Sequence, residues 1–147
     1  MWRKRIGHVF VLAMLLGIGS RLHSCATPLQ ALPSGAGEWS MRGTVHCAAP
    51  VAADLVWRGT AGARRVCRAT YTGPAEMALT VYDMPDLPGA TPFDALQKWQ
   101  SQPGRMAFFQ GRYFGVVESP GADMQTLSRF LTAFTSALLP GTGEFHR

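Results

Sequence analysis

The strongest periodicity lies near the end of the chain. Met124, Leu127, Phe130, Leu131, Phe134, Ala137 and Leu138 recur at spacings of three, four and seven, which puts them on one stripe of an amphipathic helix. The stripe predicts a helix over 123–139, stopped by Pro140-Gly141. The middle of the chain has a different period. Arg65–Thr72 and Glu76–Asp83 are rich in Val, Thr and Tyr and are joined by Gly73-Pro74, so they read as a β-hairpin. Alternation places Cys67, Ala69 and Tyr71 opposite Val66, Arg68, Thr70 and Thr72, and makes Met77, Leu79 and Val81 the apolar set of the second strand.

Met84–Ala90, with Pro85 and Pro88-Gly89, breaks this pattern. Thr91 then offers an N-cap, with Pro92 in the first turn and Asp94 three residues after the cap. The helix it opens is expected to run through Trp99 and to bury Phe93, Leu96 and Trp99. Arg105–Gln110 and Tyr113–Ser119 flank Gly111-Arg112 as a second hairpin. Glu38–Arg42 is a short strand anchored by Trp39, and Val51–Trp57 is expected to form one or two helical turns with Leu55 and Val56 inward. The expected fold class is α+β. It is a two-layer domain in the order hairpin, helix, hairpin, helix, with the helices packed on one face of an antiparallel sheet.

The beginning of the chain follows neither period. Three positive charges in Met1–Arg5 precede the run Ile6–Gly19, which carries no formally charged residue. The run is short for a spanning helix, which needs ~20 residues, and suits the apolar core of a secretion signal. Residues 1–25 are therefore expected to be a cleaved signal peptide, 26–37 a Pro- and Gly-rich linker, 38–140 one domain and 141–147 a mobile tail. Two ends of the signal compete. Ser24-Cys25-Ala26 allows ordinary cleavage after Ala26, whereas Leu22-His23-Ser24-Cys25 resembles a lipobox that would make Cys25 a lipid anchor. Membrane association is expected only through the signal or that lipid.

The signal changes the meaning of the charge. The formal charge is +5, but of fourteen basic residues four (Arg3, Lys4, Arg5 and Arg21) precede Cys25, leaving ten against nine acids. A nearly neutral domain argues against a nucleic-acid partner. With Cys25 assigned to the signal, Cys47 and Cys67 remain as a pair, and in an oxidising compartment a pair reads as a disulfide. The expected location is periplasmic or extracellular.

Catalytic signals are sparse. Only His46 of the four histidines lies in the domain, and HExxH, paired CxxC and G-x-S-x-G are absent, so neither a metal ion nor another cofactor is expected. Asp83 and Asp86 sit together after the second strand and read as turn formers. Phe108, Phe109, Tyr113 and Phe114 crowd the second hairpin. Phe109 and Phe114 are the candidate binding surface, on the ground that exposed apolar patches mark contact sites.

The order of these parts resembles a family of small exported bacterial proteins known only as a domain of unknown function. The matching pieces are Leu32-Pro33 before Glu38-Trp39, the strand ending Ala69-Thr70-Tyr71, and Leu79-Thr80-Val81-Tyr82-Asp83 before the proline loop. Phe93-Asp94-Ala95 and the aromatic hairpin complete it. The resemblance implies fold and export, not mechanism. The expectation is a non-enzymatic envelope domain that binds a protein, lipid or small ligand. The alternative is a small enzyme or metal-dependent protein using His46 with Asp83 or Asp86.

Overall fold

The computed structural model describes residues 32–51 and 58–138. The signal, Cys25, the expected helical turns after Val51 and the tail 141–147 lie outside the described residues.

The expected hairpins form, but within a larger sheet. Strands β1 (Gly35–Ala36), β2 (Trp39–Ala48), β3 (Arg65–Thr72), β4 (Met77–Asp83), β5 (Arg105–Gln110) and β6 (Tyr113–Glu118) make one six-stranded sheet in the order β1-β2-β3-β4-β6-β5. Every pairing is antiparallel. Helix α1 (Pro92–Lys98) joins β4 to β5 and passes over the position that β6 fills, while α2 (Met124–Ala137) closes the chain. The short strand expected over 38–42 instead runs from Trp39 to Ala48, through a register shift that contains Gly43 at φ +77°. A left-handed residue suits glycine, and a bulge lets so long a strand bend.

The sheet curls around α2. That helix packs against both β1 and β5, the two edges of the strand order. Six flat strands at ~4.8 Å spacing would hold those edges roughly 24 Å apart, about twice a helix diameter. The concave face therefore holds the main core. Leu127, Phe130, Leu131 and Phe134 of α2 pack on Trp39, Tyr71, Met77, Leu79, Phe108 and Val117. Phe130 lies edge-on to Trp39 at 5.4 Å and to Tyr71 at 5.2 Å. Met124, counted on the stripe, is exposed, because α2 enters the core only one turn later.

The second helix overturns the expected one-sided layering. Val66, Tyr82, Met84, Phe114 and Val116 point to the convex face and form a separate core with Ala95, Leu96 and Trp99 of α1. The two helices thus cover opposite faces of a curled sheet, and the fold is not two hairpins under one helical layer. The physical reason is visible in β6: Tyr113–Val117 is buried at every position, so this strand needs cover on both faces. Helix α1 is capped as expected. The Thr91 hydroxyl accepts from the Asp94 N–H at 3.2 Å, and the Thr91 N–H donates to Asp94 Oδ2 at 2.9 Å. Its buried residues are Pro92 and Ala95, however, while Phe93 is exposed and Leu96 and Trp99 are half-buried. Ala95 is inward because Gly59, in the 3-10 turn Arg58–Thr60, lies against it; a Cβ at 59 would come within 2.7 Å of the Ala95 Cα.

The Cys47–Cys67 disulfide forms between directly opposed residues of β2 and β3, with Cα atoms 4.1 Å apart. Part of the expected linker also belongs to the fold. Leu32 and Ala36 are buried, Gly35–Ala36 pairs with β2, and the Tyr71 hydroxyl donates to the Pro33 carbonyl at 2.8 Å. That burial holds the Tyr71 phenol far above its ordinary range. Among the described residues no helix is long and apolar enough to cross a membrane.

Candidate functional site

Pairing register assembles a row of polar side chains that no sequence motif announces. Arg65 lies opposite Asp83, Asp83 opposite Tyr113, and Tyr113 opposite Gln110, across β3, β4, β6 and β5. Each is an even number of residues from an apolar residue of the concave core: Cys67, Val81, Val117 and Phe108. Alternation therefore turns all four to the concave face. They form its last rung, beyond Cys67, Val81, Gly115 and Phe108, at the end where the β5–β6 turn lies.

Asp83 is nearly inaccessible, its side chain only 4% exposed. Arg112 of the β5–β6 turn grips it in a bidentate pair, with Nε donating to Oδ1 at 2.7 Å and Nη2 to Oδ2 at 2.6 Å. This is the fork geometry in which a guanidinium holds both oxygens of a carboxylate. Asp83 is thus an ion-pair anchor rather than a turn former. Asp86 is exposed in the following loop.

Each remaining member of the rung has one buried side-chain atom without a hydrogen-bond partner. Among the described residues three buried side-chain polar atoms lack a hydrogen-bond partner: Arg65 Nη1, Tyr113 Oη and Gln110 Oε1. All three fall in this one rung. Leaving a buried polar atom unpaired costs about 1–3 kcal/mol, and such atoms are few in native proteins. Burial raises the Tyr113 phenol above its ordinary range; Arg112 opposes the shift and Asp83 adds to it. Tyr113 is consequently a neutral hydroxyl donor at physiological pH. The rung itself carries the Arg65 guanidinium and the Asp83 carboxylate, and Arg112 reaches Asp83 from the turn. Its aliphatic and aromatic neighbours are Val81 and Phe108, whose ring lies across Gly115.

Phe109 and Phe114 are cross-strand neighbours on the convex face, but α1 separates their fates. Phe114 is only 1% exposed, packed with Tyr82 at 5.9 Å and Trp99 at 6.3 Å. It belongs to the second core and offers no binding surface. Phe109 remains 44% exposed and meets Phe93 of α1, 51% exposed, edge to face at 5.8 Å. His46 is exposed on the convex face opposite Arg68, with its neighbour Cys47 turned to the other side. Since Asp83 faces the concave side, His46 and Asp83 lie on opposite faces of the sheet and do not converge. No group of three or more His, Cys, Asp or Glu side chains that would hold a metal ion occurs among the described residues. A groove of about 430 Å³ along the outer side of α2 is lined by Gln125, Ser128, Thr132, Ala133, Ser136 and Arg129. It holds none of the buried unpartnered atoms, and Arg129 is 3.5 Å from Glu38.

Sequence reasoning missed Arg65, Gln110, Arg112 and Tyr113 as a group. The available signal was that both hairpin ends carry polar residues at inward-facing positions. Comparison of the chain with protein-family models, curated proteins and solved structures gives no match in any of the three. No family is therefore shown for this chain, the one suggested by the order of its parts included.

Proposed function

We propose that this chain is an exported protein of the cell envelope and works there as a non-enzymatic binding domain. The surface assigned to its partner is the one built by Phe93 and Phe109. The observation that carries the reading is this aromatic pair, both members about half exposed (51% and 44%) and stacked edge to face against each other on the surface. Leu87 in the loop before α1 is 58% exposed as well. Aromatic side chains of this kind are enriched in contact surfaces, where they supply area at small entropic cost. Two further observations support export: the charged and then apolar start of the chain, and the Cys47–Cys67 disulfide, a bond that persists in oxidising compartments.

The test is a photo-crosslinking amino acid placed at position 109 in cells, with position 129 on the outer side of α2 as control. A discrete adduct at 109 that disappears with Phe93→Ser is the expected result. Equal adducts at both positions, or none at 109, would remove this surface from consideration. Fatty-acid labelling of the wild type and of Cys25→Ala separates a lipid-anchored form from a released one. Label lost in the variant means the anchor, and no label in either means release.

A further inference from the structure

We propose that β5 is a dimerisation edge: two copies of this chain pair β5 with β5, antiparallel about a two-fold axis at Ala107, and join their sheets into one. The inference goes beyond the Phe93–Phe109 reading, because it rests on backbone groups and register rather than on the aromatic pair.

The hairpin fixes which backbone groups β5 leaves open. Gly111-Arg112 alone joins β5 to β6, with Gly111 at φ +55° and Gln110 opposite Tyr113. A two-residue hairpin turn makes its flanking pair a hydrogen-bonded one, and the ladder alternates from there. Gln110, Phe108 and Met106 therefore bond to β6. The same phase continues past the strand end, where the Ser119 N–H donates to the Gly104 carbonyl at 2.8 Å. Arg105, Ala107 and Phe109 turn their backbone groups outward. The Arg105 N–H donates to the Gln102 carbonyl at 3.2 Å, whereas no backbone bond among the described residues reaches the outward groups of Ala107 or Phe109.

The opposite edge of the sheet is blunted. β1 is two residues long, and β2 beside it has a register shift through Gly43 and exposes Arg42 and His46. Short strands, bulges and charges are the devices that keep an edge from pairing. β5 runs six residues without proline or register shift, and Arg105 is its one charged residue.

The sequence of β5 is complementary to itself. Pairing centred on Ala107 sets Ala107 against Ala107 of the second copy and Arg105 against Phe109 of the second copy. All of these are outward-facing residues, so the two Ala107 residues exchange N–H and carbonyl, and the Phe109 N–H donates to the Arg105 carbonyl. The side chains agree with this register. On the concave face, half-buried Met106 falls opposite Phe108 of the second copy, apolar against apolar. On the convex face the small Ala107 sits at the axis. There the Arg105 guanidinium, held by Glu118 at 3.1 Å and Gln102 at 2.8 Å, comes opposite the exposed ring of Phe109, a favourable cation–aromatic pair. No like charges meet. Centring on Phe108 instead would set Met106 against Gln110 and carry Arg105 past the end of the strand.

The experiment is sedimentation velocity of the exported chain, disulfide formed, over a range of concentrations, with hydrogen exchange read at the Ala107 and Phe109 amides. A reversible monomer–dimer equilibrium is expected, with both amides protected in the dimer only. Ala107→Pro removes an outward N–H without touching a bond to β6 and should leave a folded monomer. Phe109→Lys, at an exposed position, sets like charges against Arg105 on both sides of the axis and should weaken the dimer roughly tenfold, whereas Phe109→Glu should keep it. The Lys and Glu pair decides if Ala107→Pro does not fold. Phe93→Ser, which alters the aromatic surface alone, should leave the dimer unchanged. The proposal is overturned if the wild type stays monomeric, if folded Ala107→Pro still dimerises, or if Lys and Glu at 109 weaken the dimer equally. It is overturned as well if Phe93→Ser abolishes the dimer, which would move the contact to α1, or if both amides are already protected in the monomer, which would mean that the edge is filled within one chain.

Discussion

The ring of Phe108 lies directly across Gly115, its cross-strand partner, so that a Cβ at position 115 would come within 2.2 Å of the ring. Glycine is required here for space alone; its φ is not in the left-handed region. Gly115→Ala would drive Phe108 against Phe134, with which it now packs at 5.8 Å. Overpacking of a filled core costs about 1–3 kcal/mol. A loss in that range is expected in urea unfolding, and Phe108→Leu in the same chain should recover part of it. An unaffected midpoint for Gly115→Ala would mean that the ring is free to move aside.

Arg112 and Asp83 give a second prediction. Arg112→Met leaves the Asp83 carboxylate buried without its counter-charge. Breaking a fully buried pair costs about 3–5 kcal/mol, but the Arg112 side chain is 43% exposed, so solvent screening reduces the expected loss to roughly 2 kcal/mol. Adding Asp83→Asn to Arg112→Met should restore most of it, since the charge to be compensated is then gone. A double variant as unstable as the single one would show that packing of the arginine stem, rather than charge, sets the cost. The comparison is made by chemical denaturation at neutral pH.

The disulfide links β2 to β3 across a sequence separation of 20 residues. Closing a loop of that length in the unfolded chain is worth about 3 kcal/mol in the chain-entropy model. Cys47→Ala with Cys67→Ala should lower stability by about that amount, and a reducing agent should lower the melting temperature of the wild type but not of the variant. Equal melting of the wild type with and without reductant would contradict the contribution.

The helix caps predict an acid-sensitive component. The Thr91 side chain and backbone hold the Asp94 carboxyl below its ordinary value of 3.8, and the Thr126 N–H does the same for Asp123. Both folded-state values lie below the unfolded ones. Their stabilisation is therefore fully present above the ordinary value and is lost as pH falls through the lowered folded values. Asp123→Asn keeps a good N-cap but removes the titration. Melting temperature followed from mildly acidic to strongly acidic pH should fall less steeply in this variant; identical slopes would show that the cap carboxylate does not contribute.

The candidate site was the least legible part of the chain. Asp83 drew attention as an acid in a turn, and Arg112 as half of a hairpin turn, yet 28 intervening residues separate them. Nothing local says that they form a bidentate pair. Arg65, Gln110 and Tyr113 become one rung only when β6 inserts between β4 and β5. Phe109 and Phe114 look equivalent as a sequence pair, and only the position of α1 buries one and exposes the other.

By itself the sequence determined the elements whose causes are local. Alternation set Arg65–Thr72 and Met77–Asp83, the Thr91–Asp94 box and Pro92 started α1, and the stripe from Leu127 to Phe134 set the buried face of α2. The odd Cys25 left Cys47 and Cys67 as the pair that bonds. Tertiary structure decided which face each helix covers and which side chains share a row. Periodicity records that a residue faces inward, but both faces of β6 are inward here, and a pattern of period two carries no information about which helix lies above which face. That choice depends on the strand order and the curl of the sheet around α2, which arise from contacts between residues far apart in the chain.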